Sequence, residues 1–398
     1  MKKSNVLLVT IMFLTLLTGC SKDDDFIPVA EEEQTPAVLN QWKLVSGTGS
    51  ATAHNIGIVL EAKSETPAQE TYEKIMERLV GDGDFSLFKT KPFAANKEKF
   101  NVYYAIIPKG SDKNTYASYS EENIENFRKK ATEYFKANKS TFDAANEPVE
   151  INGFVGNMFK SIGLNAEEYQ KFFYYADGFS LGDSELNADK KTIIERNIAR
   201  FNVLFGQKEF DTQVYVSEGV GVNYANLDET TRKIYINYSD DFAFIQSELV
   251  HPDYLATTFS HEFGHTFAFF DDEYYDFESD PTKTASIIFN NNSVNLGYKL
   301  GSKTFNPTDA STNPWLATAI PVLIGENDNH EGIYTTTPGP IPGYDGTLVK
   351  GGPSGYGGYR ASNNSIMRSY FKISKANWPN GWNAVQQFYL NYFINKIK

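Results

Sequence analysis

Residues 259–277 read FSHEFGHTFAFFDDEYYDF, and the reading of the whole chain turns on them. Two of the five histidines, His261 and His265, stand four residues apart with Glu262 beside the first, among eight aromatic residues and a run of acids. On an α-helix, positions four apart differ by about 40° around the axis, so both imidazoles face one way and can grip one ion. Phe263 lies about 200° from each. Leu255, Phe259, Phe263 and Phe267, spaced by four, make an apolar stripe on that opposite side. The helix therefore has a packing face and a histidine face, and the histidines are not needed to fill a core. The competing reading is two ordinary surface histidines. His-Glu-x-x-His has a mechanical meaning, however: two imidazoles hold zinc, and the glutamate acts as base toward a water activated there. A third ligand is required. Asp271, Asp272 and Glu273 follow His265 at +6, +7 and +8, and a carboxylate just past the helix end has the reach; Asp272 is favoured, with Glu273 and Asp271 as rivals. The other histidines are His54, His251 and His330.

Outward from this stretch the chain reads as α/β. The apolar run 54–60 (HNIGIVL) predicts a buried strand, 67–80 a helix with Tyr72, Ile75, Met76 and Leu79 on one face, and 100–108 (FNVYYAIIP) a second strand. Strand, helix, strand is a βαβ unit, so the two strands should be parallel. Residues 112–207 contain helix-prone stretches, 121–138 and 189–205, and read as a helical insertion packed on the sheet. Strand signals return at 212–217 and 233–238, and the histidine helix should start near residues 251–253. Residues 290–365 are rich in Gly, Pro, Asn, Ser and Thr, which predicts irregular structure lying over the sheet rather than extending it. Residues 382–398 predict a terminal amphipathic helix. The organisation expected is a signal at 1–19, a tether at 20–45, an N-terminal catalytic part at 46–275 and a C-terminal part at 276–398.

The chain has 398 residues, 41% hydrophobic and 15% aromatic, with a formal net charge of −13. That is ample for a packed core, and the acidity argues against nucleic acid as a partner. Lys2 and Lys3 precede an apolar stretch at 6–17, too short for a membrane span and patterned as a secretory signal. Leu17-Thr18-Gly19-Cys20 resembles the bacterial lipobox, which implies cleavage before Cys20 and its lipidation. Cys20 is also the chain's one cysteine, so packing without disulfides must hold the fold. The acidic run after it resembles tags that send lipoproteins to the outer face of the outer membrane. Lipid anchoring there, surface-exposed, is the expectation, with membrane contact through acyl chains.

The stretch HEFGHTFAFFDDEY resembles the active helix of the IgA-peptidase family of zinc metallopeptidases, H-E-F-G-H-S-F-A-G-L-A-D-E-Y, through His261, Glu262, Phe263, Gly264, His265, Phe267, Ala268, Asp272, Glu273 and Tyr274. GGYRASNNSIMRSY resembles the family's G-x-Y-R-P-x-x-N-C-x-M-R through Gly357, Tyr359, Arg360, Asn364, Met367 and Arg368. TKPFAANKEKFNV, at 90–102, is a weaker third match. The resemblance implies a metzincin-like mixed, mostly parallel sheet, an active-site helix, Zn2+ held by His261, His265 and Asp272, and a methionine turn at Met367 beneath the metal. Four departures stand out: Phe269 replaces the usual glycine after the helix, Asp271 adds an acid where the family usually has a small residue, Ser365 replaces the cysteine, and Ala361 the proline. The activity implied is endopeptidase action on a protein or peptide substrate, with Glu262 as general base and Tyr359, Arg360 and Tyr370 as candidates to steady an oxyanion or contact substrate. A surface protein that binds glycan or protein through aromatics in the loops 339–360, with a non-catalytic metal site, is the alternative. No feature of the sequence sets an oligomeric state.

Overall fold

A computed structural model describes residues 42–62, 69–107, 121–145, 188–218, 223–227, 232–238, 251, 253–273, 309–327, 332–350 and 359–398, with shorter pieces at 154, 157–158, 160–163, 294–295, 299–300 and 303–304. Six strands form the central sheet: β1 (Lys43–Ser46), β2 (His54–Glu61), β3 (Phe100–Ile107), β4 (Thr212–Glu218), β5 (Tyr224–Leu227) and β6 (Arg232–Tyr238). Their order is β1-β3-β2-β4-β6-β5. The pairs β2–β3, β2–β4 and β4–β6 are parallel, while the edge strands β1 and β5 run antiparallel to β3 and β6. This is the mixed, mostly parallel sheet of an α/β protein, consistent in general terms with a metzincin-like architecture.

Strand periodicity divides the core. Ile56, Ile58 and Leu60 of β2, with Val214, Val216, Ile234 and Ile236, face one side together with helix α1 (Gln69–Val80) and the histidine helix. Val59, Ala105, Tyr215 and Tyr235 face the other, against Phe201, Leu204 and Phe205 of α4 (Ala188–Phe205). Alternation along β2 is thus what lets one strand serve two layers. Two further helices, α2 (Glu121–Ala137) and α3 (Lys139–Ala144), lie between β3 and α4 in the chain. Their Phe135 and Phe142 cluster with Phe154, Phe371, Tyr254 and Tyr370.

The sequence expectations at 54–60, 100–108, 212–217 and 233–238 correspond to β2, β3, β4 and β6, and the parallel pairing of β2 with β3 is present. Strands β1 and β5 were not anticipated. Each has only four residues and owes its form to the neighbour it pairs with, β1 falling partly within the stretch read as tether.

Beyond the sheet, the strands among the described residues form two-stranded ladders: β7 (Lys299–Leu300) with β8 (Lys303–Thr304), β9 (Ala319–Glu326) with β10 (Gly332–Pro338), and β11 (Val349–Lys350) with β12 (Tyr359–Arg360). None joins the central sheet, as the Gly- and Pro-rich composition implied. The short helix α6 (Ile366–Ser369) and the terminal helix α7 (Ala384–Ile394) close the chain, the latter with a capping box between Asn383 and Gln386.

Candidate metal centre

The histidine helix is α5, Tyr254–Ala268. Asp253 caps it, its side chain accepting from the Ala256 N–H, and the same carboxylate receives Arg78 of α1 at 2.7 Å. His251 accepts the Asp253 N–H at Nδ1 and donates from Nε2 to the Ile373 carbonyl. One end of the helix is thereby fixed to α1 and to the C-terminal segment. The stripe Leu255, Phe259, Phe263 and Phe267 is buried against the sheet. Phe93 and Phe100, from the weakly matching 90–102 segment, meet Phe267 at ring-centroid distances of 5.7 Å. Each fully buried phenylalanine contributes about 1.5–3 kcal/mol, so the stripe dictates which face turns to the core and which presents the histidines.

The helix exit depends on Phe269. It adopts the left-handed conformation, φ 56°, ψ 38°, and its N–H bonds the Gly264 carbonyl. The chain thus leaves the helix as a glycine would let it, although no glycine is present. The Phe269 ring is held against Phe393 at 5.7 Å and under the Arg232 guanidinium at 5.4 Å.

That exit returns the chain toward the histidines. His261 Nε2, His265 Nε2 and Asp272 Oδ1 form a triangle with sides of 3.2, 3.0 and 3.3 Å. Each ring is turned by its other nitrogen: His261 Nδ1 donates to the Ile366 carbonyl at 2.9 Å, and His265 Nδ1 donates to the Phe270 carbonyl at 2.8 Å. A carbonyl oxygen only accepts, so Nδ1 of each ring carries a proton, and Nε2, when unprotonated, presents its lone pair inward. Asp272 Oδ1 is buried, and although it lies within reach of both rings it makes no well-directed hydrogen bond to either. Three converging lone pairs repel one another unless something positive lies between them. Tetrahedral ligands 2.0–2.1 Å from one zinc ion would stand about 3.3 Å apart. The spacing and chemistry of this donor set fit a divalent metal, and His261, His265 and Asp272 are the residues that could hold it. His265 and Asp272 keep 19% and 16% of their side chains exposed, so the cluster opens to solvent on one side.

The electrostatics agree. Burial works against charging His265, yet the adjacent Asp272 carboxylate outweighs it and raises the imidazole to about 10. Burial likewise opposes ionisation of Asp272, but the His265 charge and the contacts with both rings hold its carboxyl well below the usual range. A proton shared within the cluster thus supplies the positive charge that the three donors demand. Burial pushes the Glu262 carboxyl up, and the two histidines draw it part of the way back.

The rival ligands have other tasks. Asp271 Oδ1 accepts the Asp272 N–H, and burial raises its carboxyl to about 7. The Glu273 carboxylate accepts from Ser365, Asn295 and Gln386. The spare histidines are structural: His54 lies among Phe100, Phe263 and Phe267, where burial lowers it to about 3, and His251 holds the helix start. His330 lies outside the described residues.

Met367 is fully buried, directly beneath α5. A β-carbon added to Gly264 would come within 2.7 Å of its sulfur and 2.9 Å of the Trp382 ring. Gly264 is thus required by close approach, between the two histidines in sequence. Tyr370 places its ring centroid 4.5 Å from that of His261, with its hydroxyl 3.5 Å from that of Tyr254. Arg360 directs its guanidinium at the Ser362 and Glu273 carbonyls, and Tyr359 sits on β12 opposite Lys350. Asn295, Ser365 and Gln386 were not singled out from the sequence. Isolated polar residues give no signal there; only the departure at Ser365 hinted at one of them. Cys20 precedes the described residues. A groove of about 720 Å³ lies elsewhere, lined by Phe388, Asn391, Tyr392 and Lys396 of the α7 region; it contains none of the cluster's residues.

No protein-family model matches this chain, and no curated protein matches it. The chemistry therefore rests on the site: a His/His/Asp cluster able to bind a divalent metal, with a glutamate beside it, consistent with a metal-dependent hydrolase and with a metzincin-like enzyme.

Proposed function

We propose that the protein is a zinc-dependent endopeptidase acting on extracellular proteins. The observation that carries this is the convergence of the His261, His265 and Asp272 donor atoms beside Glu262. A divalent ion held there would polarise a peptide carbonyl and acidify a water. Glu262, next to ligand His261, takes a proton from the attacking water and passes it to the leaving amine. Its raised affinity for a proton, a consequence of burial, suits both halves of that transfer. Tyr370, whose ring packs against that of His261, carries the hydroxyl proposed to steady the oxyanion. Arg360 instead braces the wall behind the cluster. The short-motif resemblance to the IgA-peptidase family supports the peptidase reading without specifying which protein is cut, because specificity resides in variable loops.

Cleavage of casein or a peptide mixture tests the reading. Glu262→Gln should retain its zinc yet lose about 10²–10⁴-fold in kcat. No cleavage above background by either protein, with or without chelator, would leave a binding protein with a non-catalytic metal.

The Leu-Thr-Gly-Cys20 pattern supports a lipid anchor on Cys20, and the acidic run behind it supports outer-membrane display. Metabolic labelling with a radioactive fatty acid should mark the wild type and spare Cys20→Ala; label on both, or on neither, removes the anchor from the proposal.

A further inference from the structure

Glu273 follows the ligand Asp272 directly, and its side chain is completely buried. Both carboxylate oxygens are occupied by donors from distant segments. Ser365 Oγ donates to Oε2 at 2.6 Å; Gln386 Nε2 and Asn295 Nδ2 donate to Oε1 at 2.8 and 3.1 Å. The backbone is engaged as well: the N–H donates to the Met367 carbonyl at 2.8 Å, and the carbonyl accepts from Arg360 at 3.3 Å. A buried carboxylate is costly unless its lone pairs are met. Five satisfied bonds at one residue therefore give the strap 269–273 a single resting position against β12, α6 and α7. The segment that receives it also orients the histidines, because the Ile366 carbonyl turns His261 and Met367 underlies Gly264.

We propose that Glu273 is a positioning residue for the metal centre: clamped by Ser365, Asn295 and Gln386, it fixes where Asp272 stands relative to the two histidine rings. This rests on the metal-site reading above. The clamp joins a carboxylate ligand on one strap to a histidine ligand on a helix through residues that touch no ion. Such outer partners typically govern metal affinity by about 10–100-fold.

The test uses the full chain with Ser365→Ala, Gln386→Ala and Glu273→Gln. Tyr389→Phe is the control, since its hydroxyl donates to the Pro321 carbonyl from the same helix α7 without touching the clamp. Zinc affinity is measured by chelator competition, cobalt coordination by its visible absorption, and melting temperature on metal-free protein. Loss of one clamp bond should weaken zinc binding about 10–100-fold and alter the cobalt spectrum. At saturating zinc, kcat should fall while KM holds. Tyr389→Phe should lower the melting temperature alone. If Ser365→Ala and Gln386→Ala melt earlier but keep wild-type zinc affinity and cobalt spectrum, the clamp is packing and the proposal falls, whether or not Glu273→Gln folds. If the wild type takes up neither metal, the metal-site reading itself has failed, and this role with it.

Discussion

Phe269 holds a backbone conformation, φ 56°, that disfavours any residue with a β-carbon by about 1–2 kcal/mol. Its ring offsets that strain by packing on Phe393 and under Arg232. Two substitutions separate the contributions. Phe269→Ala keeps the strain and loses the ring, so it should be the least stable of the three proteins. Phe269→Gly loses the ring but relieves the strain, and should melt above Phe269→Ala by the equivalent of about 1 kcal/mol. Thermal denaturation gives the order, and an alanine variant as stable as the glycine one would contradict it. At this scale the sequence was legible where chemistry needs particular atoms: His261, Glu262 and His265 announce themselves by type and spacing. It could not settle Asp272 against Asp271 and Glu273, because three adjacent acids offer the same atoms. The choice depends on which way the chain turns after Phe269 and on which carboxylate meets buried amide donors.

Helix α5 shows the same division. Its apolar stripe and its histidine face follow from period 3.6, and its start from the cap at Asp253. What lies under it does not follow from its own sequence. The Met367 sulfur and Trp382 ring approach the Gly264 backbone from segments about a hundred residues away. Gly264→Ala should therefore be destabilising by about 1–3 kcal/mol through overpacking, despite the better helix propensity of alanine. Denaturant titration reads this directly, and a gain in stability would show the interface to be looser than described. The edge strands β1 and β5 were illegible for a related reason: four residues carry too little periodicity, and their partners are supplied by folding.

For the whole molecule, metal and proton compete for one cluster. The folded-state pKa of His265 lies above its unfolded value of 6.5, at about 10. In metal-free protein its stabilising contribution is complete below pH 6.5 and is lost as pH rises toward 10. The Asp272 carboxyl is shifted the other way, and its contribution is present above its unfolded value of 3.8 and lost on acidification. Metal needs both imidazoles unprotonated. The gain in melting temperature on adding zinc should therefore grow from pH 6 to pH 9, and a chelator should abolish it; calorimetry with and without zinc checks both. A zinc effect that is flat or shrinks with pH would place the ion elsewhere. The sequence by itself determined the α/β class, the parallel pairing of β2 with β3, the two-faced helix and the chemistry of the His-Glu-x-x-His turn, because these depend on periodicity and residue type within a short span. Only the tertiary structure decided that Asp272 completes the cluster, that Glu273 is buried among Ser365, Asn295 and Gln386, and that Arg360 braces the strap. Those outcomes depend on contacts between segments far apart in the chain, where burial assigns each polar atom its partner.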